Sequence, residues 1–487
     1  MKQLKFSART KTSAAVAILC LGASSYSFAQ VEAKVTGRVH FDARNIDTSF
    51  NAIADRDSAS VGDNFEIRRA RVGITGTINK DIAYEVVGNG VGGTTNWIDT
   101  AFINYGFNKK AQIRTGRFKQ PFSLEEQTSS NNIDFMERSY GNQMVPGKRL
   151  GAMLHGEPMT GLTYGVSIYQ DGFKELSNQN ELGTKYAGRL TLNLAQTQDI
   201  KDTVLHVGVG YTGGDSQVTP TTSGDTTTTA STTTRATIVA FRTEGRGLNN
   251  AYRAQIGGDI IGTADYNASA NNNVTINQKL RGIEFAGARG PFKFQMENFN
   301  SKYSATGIAQ TVSIADSYAN TSMGVQVKAQ YIELMYNITG ESWADAYKGG
   351  AFGGIKPKTN FMTDYGGVVG NGTGAWQVGF RTSKYSADQA NTMTCVGTTA
   401  LPTCTTAISG TGSANSRAQN SETATTNTYA LNWILNSNAR VMFNYAQTTF
   451  GNSVIILDGA FSNTVNSLAS GATDTERVFS VRTQINF

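Results

Sequence analysis

The chain has few prolines and cysteines, and it lacks the long apolar runs of helical membrane proteins. Of 487 residues, 7 are proline and 3 are cysteine. Every proline lies between segments of alternating apolar and polar residues, where a β-sheet tolerates the loss of a backbone donor. No stretch approaches the roughly 20 apolar residues that a transmembrane helix needs. These absences exclude a membrane protein built from helices.

Motifs of common catalytic sites are also missing. The 3 histidines, His40, His155 and His206, are isolated, and no CxxC, HExxH, GxSxG or P-loop pattern occurs. We therefore predict no enzymatic function, no metal and no cofactor. A Ser–His pair in a barrel wall stays open as an alternative, because its partners need only be close in space.

The amino terminus has the pattern of a secretory signal. Residues 14–21 form a short apolar run, and Ser27 and Ala29 supply small side chains at the spacing of a cleavage site. Four cations precede the run: Lys2, Lys5, Arg9 and Lys11. We predict a signal peptide over residues 1–29 and one exported domain over residues 30–487. Because these four cations account for four of the six net positive charges, the exported domain keeps a net charge of +2, and nucleic acid is not an expected partner.

The carboxy terminus alternates with a period of two. In the last ten residues Phe479, Val481, Ile485 and Phe487 are apolar, and polar residues lie between them. This pattern, ending on an aromatic residue, is typical of the closing strand of a bacterial outer-membrane β-barrel. An edge strand of a soluble β-sandwich alternates in the same way. The export signal favours the barrel.

Similar alternating runs recur along the chain, and polar segments separate them. Residues 34–43, 69–77 and 162–168 are examples, and no helical period of comparable length appears. The mean hydropathy of −0.30 fits strands that face water on one side. We predict an all-β fold: a transmembrane antiparallel barrel of about 16 strands.

Three long polar segments are predicted to be outer loops: residues 215–234, 340–374 and 388–427. The first is rich in Thr and Ser and could instead be a linker between domains. However, the alternation is the same on both sides of it. Cys395 and Cys404 lie close together in the last segment and could form a disulfide in an oxidising compartment.

Arginines crowd one predicted strand. The alternation turns Arg69 and Arg71 toward the lumen while Val72 and Ile74 face outward. Pores that pass anions carry arginine or lysine at the narrowest point, because the cation replaces part of the lost hydration. Lumen arginines can also brace the wall by pairing with carboxylates of an inward-folded loop. The two roles are equally open for Arg68, and the pore role is favoured for Arg69 and Arg71. The candidate bracing carboxylates are Glu125, Glu126, Asp134 and Glu137.

Several segments, in order, resemble the phosphate-selective porins of the O and P type. They are FEIRRARVGITG at 65–76, TGRFKQPFSLE at 115–125, TSS at 128–130, MER at 136–138, GESW at 340–343 and FGGIKPK at 352–358. The resemblance covers most of the exported domain and is weakest between residues 199 and 277. It implies a homotrimer in the outer membrane of a Gram-negative bacterium. Each barrel would have 16 strands and its own pore, constricted by inward-folded loops.

The resemblance also implies particular pore residues. The family's arginine pair matches Arg68 and Arg69, beside Arg71. Its acidic residue matches Asp99, its hydroxyls match Ser129 and Ser130, and its loop arginine matches Arg138. An arginine ladder leading inward could be matched by Arg235, Arg242, Arg246 and Arg253. The chain has Glu126 and Asn131 where phosphate-selective members carry lysines on the constriction loop, so weaker phosphate binding is expected. We expect Asp99, Glu125 and Glu126 to oppose the arginines across the lumen.

The expected function is a water-filled channel for passive diffusion of small hydrophilic solutes, favouring anions such as phosphate or other oxyanions. Two alternatives are a general diffusion porin with little selectivity and a surface or adhesion barrel without significant conductance. The expected partners are further copies of the chain, outer-membrane lipid, lipopolysaccharide and the barrel-assembly machinery, which would recognise Phe487. Small anions are the expected cargo.

Overall fold

A closed barrel of 16 antiparallel strands forms the molecule. The computed structural model describes residues 31–50, 63–79, 81–91, 97–171, 183–218, 221–223, 232–249, 251–260, 274–306, 317–361, 372–396, 421–455 and 472–487. The predicted fold class and strand number are confirmed. The predicted signal peptide over residues 1–29 lies outside the described residues. Among the described residues, no helix is long and apolar enough to cross a bilayer.

Each barrel strand pairs with its neighbours in sequence, and the last strand pairs with the first. The barrel strands are β1 Val31–Phe50, β2 Asn64–Ile78, β3 Ile82–Asn89, β4 Ile98–Asn108, β5 Ala111–Lys119, β6 Lys148–Met159, β7 Leu162–Gln170, β8 Thr184–Asn193, β9 Thr203–Val218, β13 Val274–Arg289, β14 Phe292–Thr306, β15 Ser317–Asn337, β18 Ala375–Val396, β19 Thr423–Ile434, β20 Ala439–Ile455 and β21 Ala472–Asn486.

Two further groups of strands lie in the connections. A three-stranded sheet consists of β10 Thr221–Ser223, β11 Thr232–Phe241 and β12 Tyr252–Ile260. A short hairpin consists of β16 Tyr347–Lys348 and β17 Ala351–Phe352. The helical elements are α1 Leu124–Gln127, α2 Leu194–Thr197 and the 3-10 turns Tyr140–Met144 and Ala344–Ala346.

The strand pairing between β1 and β21 closes the barrel. The backbone N–H of Gly37 donates to the carbonyl of Phe487 at 2.8 Å, and the N–H of Phe487 donates back to Gly37 at 3.1 Å. The ring of Phe487 lies against Gly37, where an added Cβ would come within 2.3 Å of it. The terminal residue is therefore part of the seam of the barrel.

The two ends of the barrel differ. At one end of the barrel, β1 begins and β21 ends, next to Phe487. This end also carries short connections such as 160–161 and 290–291, and we call it the turn end. The other, the loop end, carries the connection 120–147 and the long connection between β9 and β13. In porins the short turns face the periplasm and the long loops face outward.

The prediction of an outer loop over residues 340–374 is wrong. This segment joins β15 to β18 and therefore lies at the turn end. Parts of the other two predicted loops are strand, because β9 continues to Val218 and β18 continues to Val396. Polar side chains did not mark the strand ends, because Thr and Ser fit a strand that has left the apolar band.

Three connections fold into the lumen, as the predicted inward-folded loops require. The segment 120–147, which we call the constriction segment, enters from the loop end. The β10–β12 sheet packs inside the wall, where Phe241 stacks on Tyr385 with ring centroids 4.8 Å apart. From the turn end, Trp343 and Phe352 are buried in a cluster that includes Leu124 of the constriction segment.

Candidate pore constriction

The barrel wall holds the constriction segment through charged side chains. Arg482 on β21 donates to the carbonyl of Met136 at 2.6 Å, and Arg440 on β20 donates to that of Ile133 at 3.0 Å. On the same side of the barrel, Lys293 of β14 is ion-paired with Asp134 of the segment. These contacts fix the segment against β14, β20 and β21.

A β-bulge brings two consecutive arginines to the lumen. The β1–β2 register shifts between His40 and Phe41: His40 is opposite Arg69, whereas Phe41 is opposite Ile67. Arg68 is therefore the extra residue of the bulge. Because the extra residue interrupts the alternation, both Arg68 and Arg69 can point inward.

Glu137 of the constriction segment forms ion pairs with several arginines. The Arg68 guanidinium donates to its two carboxylate oxygens at 3.0 and 3.3 Å. Arg482 lies 3.3 Å and Arg246 3.8 Å from Oε1 of Glu137. Burial alone would raise the pKa of Glu137, but Arg68 and Arg482 outweigh it and hold the pKa well below its usual value. Glu137 is therefore ionised at neutral pH.

An electropositive cavity of about 160 Å³ lies beside this carboxylate, and we call it the arginine cavity. Five arginines and two glutamates line it: Arg68, Arg69, Arg138, Arg242, Arg246, Glu137 and Glu244. Burial raises the pKa of Glu244, although Arg381 opposes the shift. Within the described part of the chain, Arg69 and Arg242 form no ion pair. Among the described residues, these two guanidinium groups are the cations of the cavity without a carboxylate partner, and Arg69 lies 3.5 Å from Nδ1 of His40.

The family assignment follows from sequence comparison. The sequence model of the family described as phosphate-selective porin O and P matches residues 33–451. The chain belongs to this family. The predicted family is thus confirmed, and this porin is a channel for small solutes in the outer membrane of a Gram-negative bacterium. No curated protein sequence matches the chain significantly.

Several solved barrels are similar to this porin. OmpT of Vibrio cholerae, in a trimer form, has 9% sequence identity and a TM-score of 0.45, with 94% of this chain and 99% of that chain covered. The outer membrane channel DcaP of Acinetobacter baumannii has 11% identity and a TM-score of 0.45, with 96% and 99% covered. OmpF of Salmonella typhi has 10% identity and a TM-score of 0.39, with 93% and 97% covered.

Glu126 of the porin is ion-paired, as a bracing carboxylate would be, and does not face the lumen as an unpaired charge. Its carboxylate lies 3.5 Å from Arg138 and 4.0 Å from Lys119, and Asn142 donates to it at 3.1 Å. Burial would raise the pKa of Glu126, but Arg138 and Lys119 together lower it. The negative charge is therefore paired, and it offsets one of the two positive charges beside it.

The expected opposition of acids and arginines across the lumen is wrong. Asp99 lies 2.8 Å from Arg71 and is ion-paired with Lys148, so its charge is balanced on its own wall. The carboxylate of Glu125 is buried, where it accepts hydrogen bonds from Ser139 and Arg381. Charges of both signs are interleaved, and they do not form two facing walls.

The remaining predicted loop residues have structural contacts. Ser130 accepts a hydrogen bond from Arg38 at 2.8 Å, and the hydroxyl of Ser129 accepts one from the N–H of Asn131 at 3.4 Å. The carbonyl of Asn131 accepts from Gln484 of β21 at 3.0 Å. Both serines and Asn131 therefore help to set the shape of the constriction segment.

The proposed arginine ladder is placed only in part. Arg242 and Arg246 line the arginine cavity. Arg253 lies on β12 with its backbone opposite Ala240, and the side chain of Arg235 on β11 lies outside the described residues. The same holds for the side chain of Cys395 and for all of Cys404, so the predicted disulfide stays a prediction.

The sequence reasoning missed several charged residues near the constriction. Arg38 of β1 binds Ser130, Lys148 of β6 pairs with Asp99, and Lys119 lies beside Glu126. Arg38 occupies the polar phase of an alternating run, which is the signal that could have identified it. Lys119 and Lys148 flank the constriction segment on either side, where their position alone was informative.

A second chamber, of about 470 Å³, lies on the turn-end side of the constriction segment. Pro121 and Gln127 of the segment line it together with one acid, Glu157, and four cations: Lys109, Arg114, Arg189 and Lys348. Lys348 belongs to the β16–β17 hairpin, and the carbonyl of Gly350 in that hairpin accepts from Arg189 at 2.8 Å. The lumen therefore has a charged chamber on each side of the constriction segment.

Proposed function

We propose that this porin is a passive diffusion channel that favours small anions, including phosphate and other oxyanions. The arginine cavity is the observation that carries the proposal, because five arginines outnumber two glutamates in its lining. A guanidinium keeps its charge at any physiological pH and offers paired N–H donors to an oxyanion. Confinement by a low-dielectric wall strengthens the field of these charges.

The contacts of the acidic residues support an excess of positive charge in the pore. Glu125, Asp134 and Glu137 each contact at least one cation that attaches the constriction segment to the barrel. Arg69 and Arg242, among the described residues, have no carboxylate of their own. The acids thus serve to hold the segment, while these two arginines are available to a passing anion.

We propose only a modest preference for phosphate. Phosphate must lose much of its hydration in a narrow passage, and each charge-assisted hydrogen bond that replaces water contributes roughly 1.5–3 kcal/mol. Glu126 and Asn131 occupy the positions of two lysines in phosphate-selective relatives, and Glu126 pairs with Arg138 and Lys119 and offsets one of their two positive charges. The constriction segment therefore offers few free donors.

Single-channel recording in a gradient of potassium chloride tests this function. We expect conductance and a reversal potential of the sign that indicates chloride permeation. A reversal potential indicating potassium permeation would overturn the anion preference. A potential near zero would favour a general diffusion porin. Silence of folded protein would favour a surface or adhesion barrel, and we propose no enzymatic role.

We also propose that the porin is a homotrimer. Strand β3 has 8 residues and β5 has 9, at or below the about 9–11 residues that a tilted strand needs to cross the bilayer. Further copies of the chain would cover this low part of the wall. Cross-linking in native membranes should give a band at three times the monomer mass that dissociates on heating. A monomer band alone would contradict the trimer.

A further inference from the structure

Five cations lie on the outer surface of the barrel near the loop end. They alternate with buried residues on four neighbouring strands, β13, β14, β15 and β18, so their side chains point away from the lumen. All five are exposed: Lys279, Arg281, Lys302, Lys328 and Lys384. We call this surface the cationic patch.

The patch holds like charges close together. Lys279 is directly opposite Lys302 across the β13–β14 pair. One row further from the loop end, Asn300 lies between Arg281 on one side and Lys328 on the other. Like charges directly opposite each other destabilise a sheet. The arrangement therefore favours a bound anion.

No ion pair within the described residues compensates these charges. None of the five cations forms an ion pair there. Asp388 lies in the row of Lys279 and Lys302, but Gln326 separates it from Lys302. Asp215, one row nearer the loop end, accepts a hydrogen bond from Asn277. By contrast, Arg477, another exposed cation near the loop end, lies 3.7 Å from Asp47. The patch thus differs from the other side of the barrel in lacking partners.

The same strand faces become apolar toward the turn end. On β13 the next outward residues after Arg281 are Ile283 and Phe285, which are 47% and 43% exposed. On β15, Lys328 is followed on the same face by Gln330 and then by Ile332 and Leu334, of which the last two are 36% and 52% exposed. The patch therefore lies at the outer border of the lipid-facing band. That is the level of the headgroups in the outer leaflet.

We propose that the cationic patch binds the phosphate groups of lipopolysaccharide. Phosphates of a membrane glycolipid would lie among Lys279, Arg281, Lys302 and Lys328, while its acyl chains would cover the apolar rows below. Basic clusters at the membrane surface attract anionic lipid headgroups in this way. The site requires only that the loop end faces outward, so it does not depend on which ions the pore favours.

Binding of purified lipopolysaccharide to refolded, lipid-free porin tests the proposal. The variant Lys279→Gln/Lys302→Gln should bind about 25-fold more weakly, because each lysine near an anionic headgroup contributes about fivefold in affinity. The control variant Lys110→Gln/Lys201→Gln removes two exposed lysines from the turn end and should bind normally. Channel conductance of all three proteins should be the same, which verifies folding.

Several outcomes would overturn the proposal. One is equal binding by the patch variant and the wild type. Another is displacement of lipopolysaccharide by an equal concentration of inorganic phosphate, which would indicate a site for the free ion. A third is equal competition by phosphatidylglycerol vesicles, which would indicate unspecific attraction to anionic lipid. If only the ion selectivity of the wild type departs from expectation, the proposed function fails and the lipid site does not.

Discussion

Arg68 of the barrel wall donates two hydrogen bonds, of 3.0 and 3.3 Å, to the carboxylate of Glu137 in the constriction segment. The side chains of both residues are largely buried, at 19% and 14% exposure. This pair joins strand β2 to a segment that is also attached to β1, β14, β18, β20 and β21. It thereby limits how far the segment can move across the lumen.

Glu137→Gln should loosen the constriction segment. The amide keeps the shape but leaves Arg68 without its carboxylate, whereas Arg482 keeps Asp42. Leaving a buried cation unpaired costs on the order of 3 kcal/mol. We expect a lower unfolding temperature and noisier open-channel current. The exposed control Glu32→Gln should change neither, and a quiet current in Glu137→Gln would show that the pair does not restrain the segment.

Acid should have the same effect on the wild type. The pKa of Glu137 is well below its usual value in the folded protein, so its contribution to stability is complete above about pH 4.3, the ordinary value for glutamate. It is lost as the pH falls through the folded pKa. Current noise recorded from pH 7 downward should rise only in strongly acidic buffer. In Glu137→Gln the noise should already be high at pH 7, and an onset near neutral pH in the wild type would contradict the depressed pKa.

Arg69→Ala should reduce anion permeation. In the dielectric of water, a unit charge about 5 Å from the ion path changes the permeability of a monovalent ion by about fourfold, in opposite directions for chloride and potassium, so removing it should change their permeability ratio by about 16-fold. Reversal potentials of the wild type and the variant measure the chloride-to-potassium ratio. Arg242→Ala should act in the same direction. Arg477→Ala is the matched control, because Arg477 is exposed on the barrel surface beside Asp47. An unchanged ratio in Arg69→Ala would reduce Arg69 to a structural residue.

Phosphate should block chloride current only weakly in the wild type. Glu126→Gln should strengthen the block by about tenfold, because Arg138 and Lys119 lose their carboxylate and one charge-assisted hydrogen bond becomes available to phosphate. We prefer Gln to Lys here, since a lysine would be placed against those two cations. Titration of phosphate into the bath during recording measures the effect. Block of the wild type at low micromolar phosphate would restore strict phosphate selectivity.

Deleting Phe487 should impair assembly. The deletion removes both backbone hydrogen bonds to Gly37 and the ring that lies against it. It also removes the aromatic terminal residue that the assembly machinery would recognise. The amount of heat-modifiable porin in outer membranes should fall, whereas Phe487→Tyr should be tolerated. A normal amount of folded, truncated porin would contradict this role.

The sequence alone was sufficient for the architecture of this porin. A barrel strand has one wet face and one lipid face, so its period of two is written directly into the order of residues. Thus Val72 and Ile74 are exposed on the outside of β2, and Arg71 pairs with Asp99 inside. Family motifs spread over most of the chain then identified the type of barrel.

Only the tertiary structure decided how the charges of the constriction combine. The orientation of Arg68 depends on a bulge, and a bulge is a property of two paired strands. The end at which residues 340–374 emerge depends on the number of strands before them. The pairing of Glu126 with Arg138 and Lys119, and that of Arg482 with Asp42, which is 440 positions away, arise where separate parts of the chain meet in the barrel. Alternation specifies which face a side chain occupies, but its partner across the lumen is set by register and loop packing.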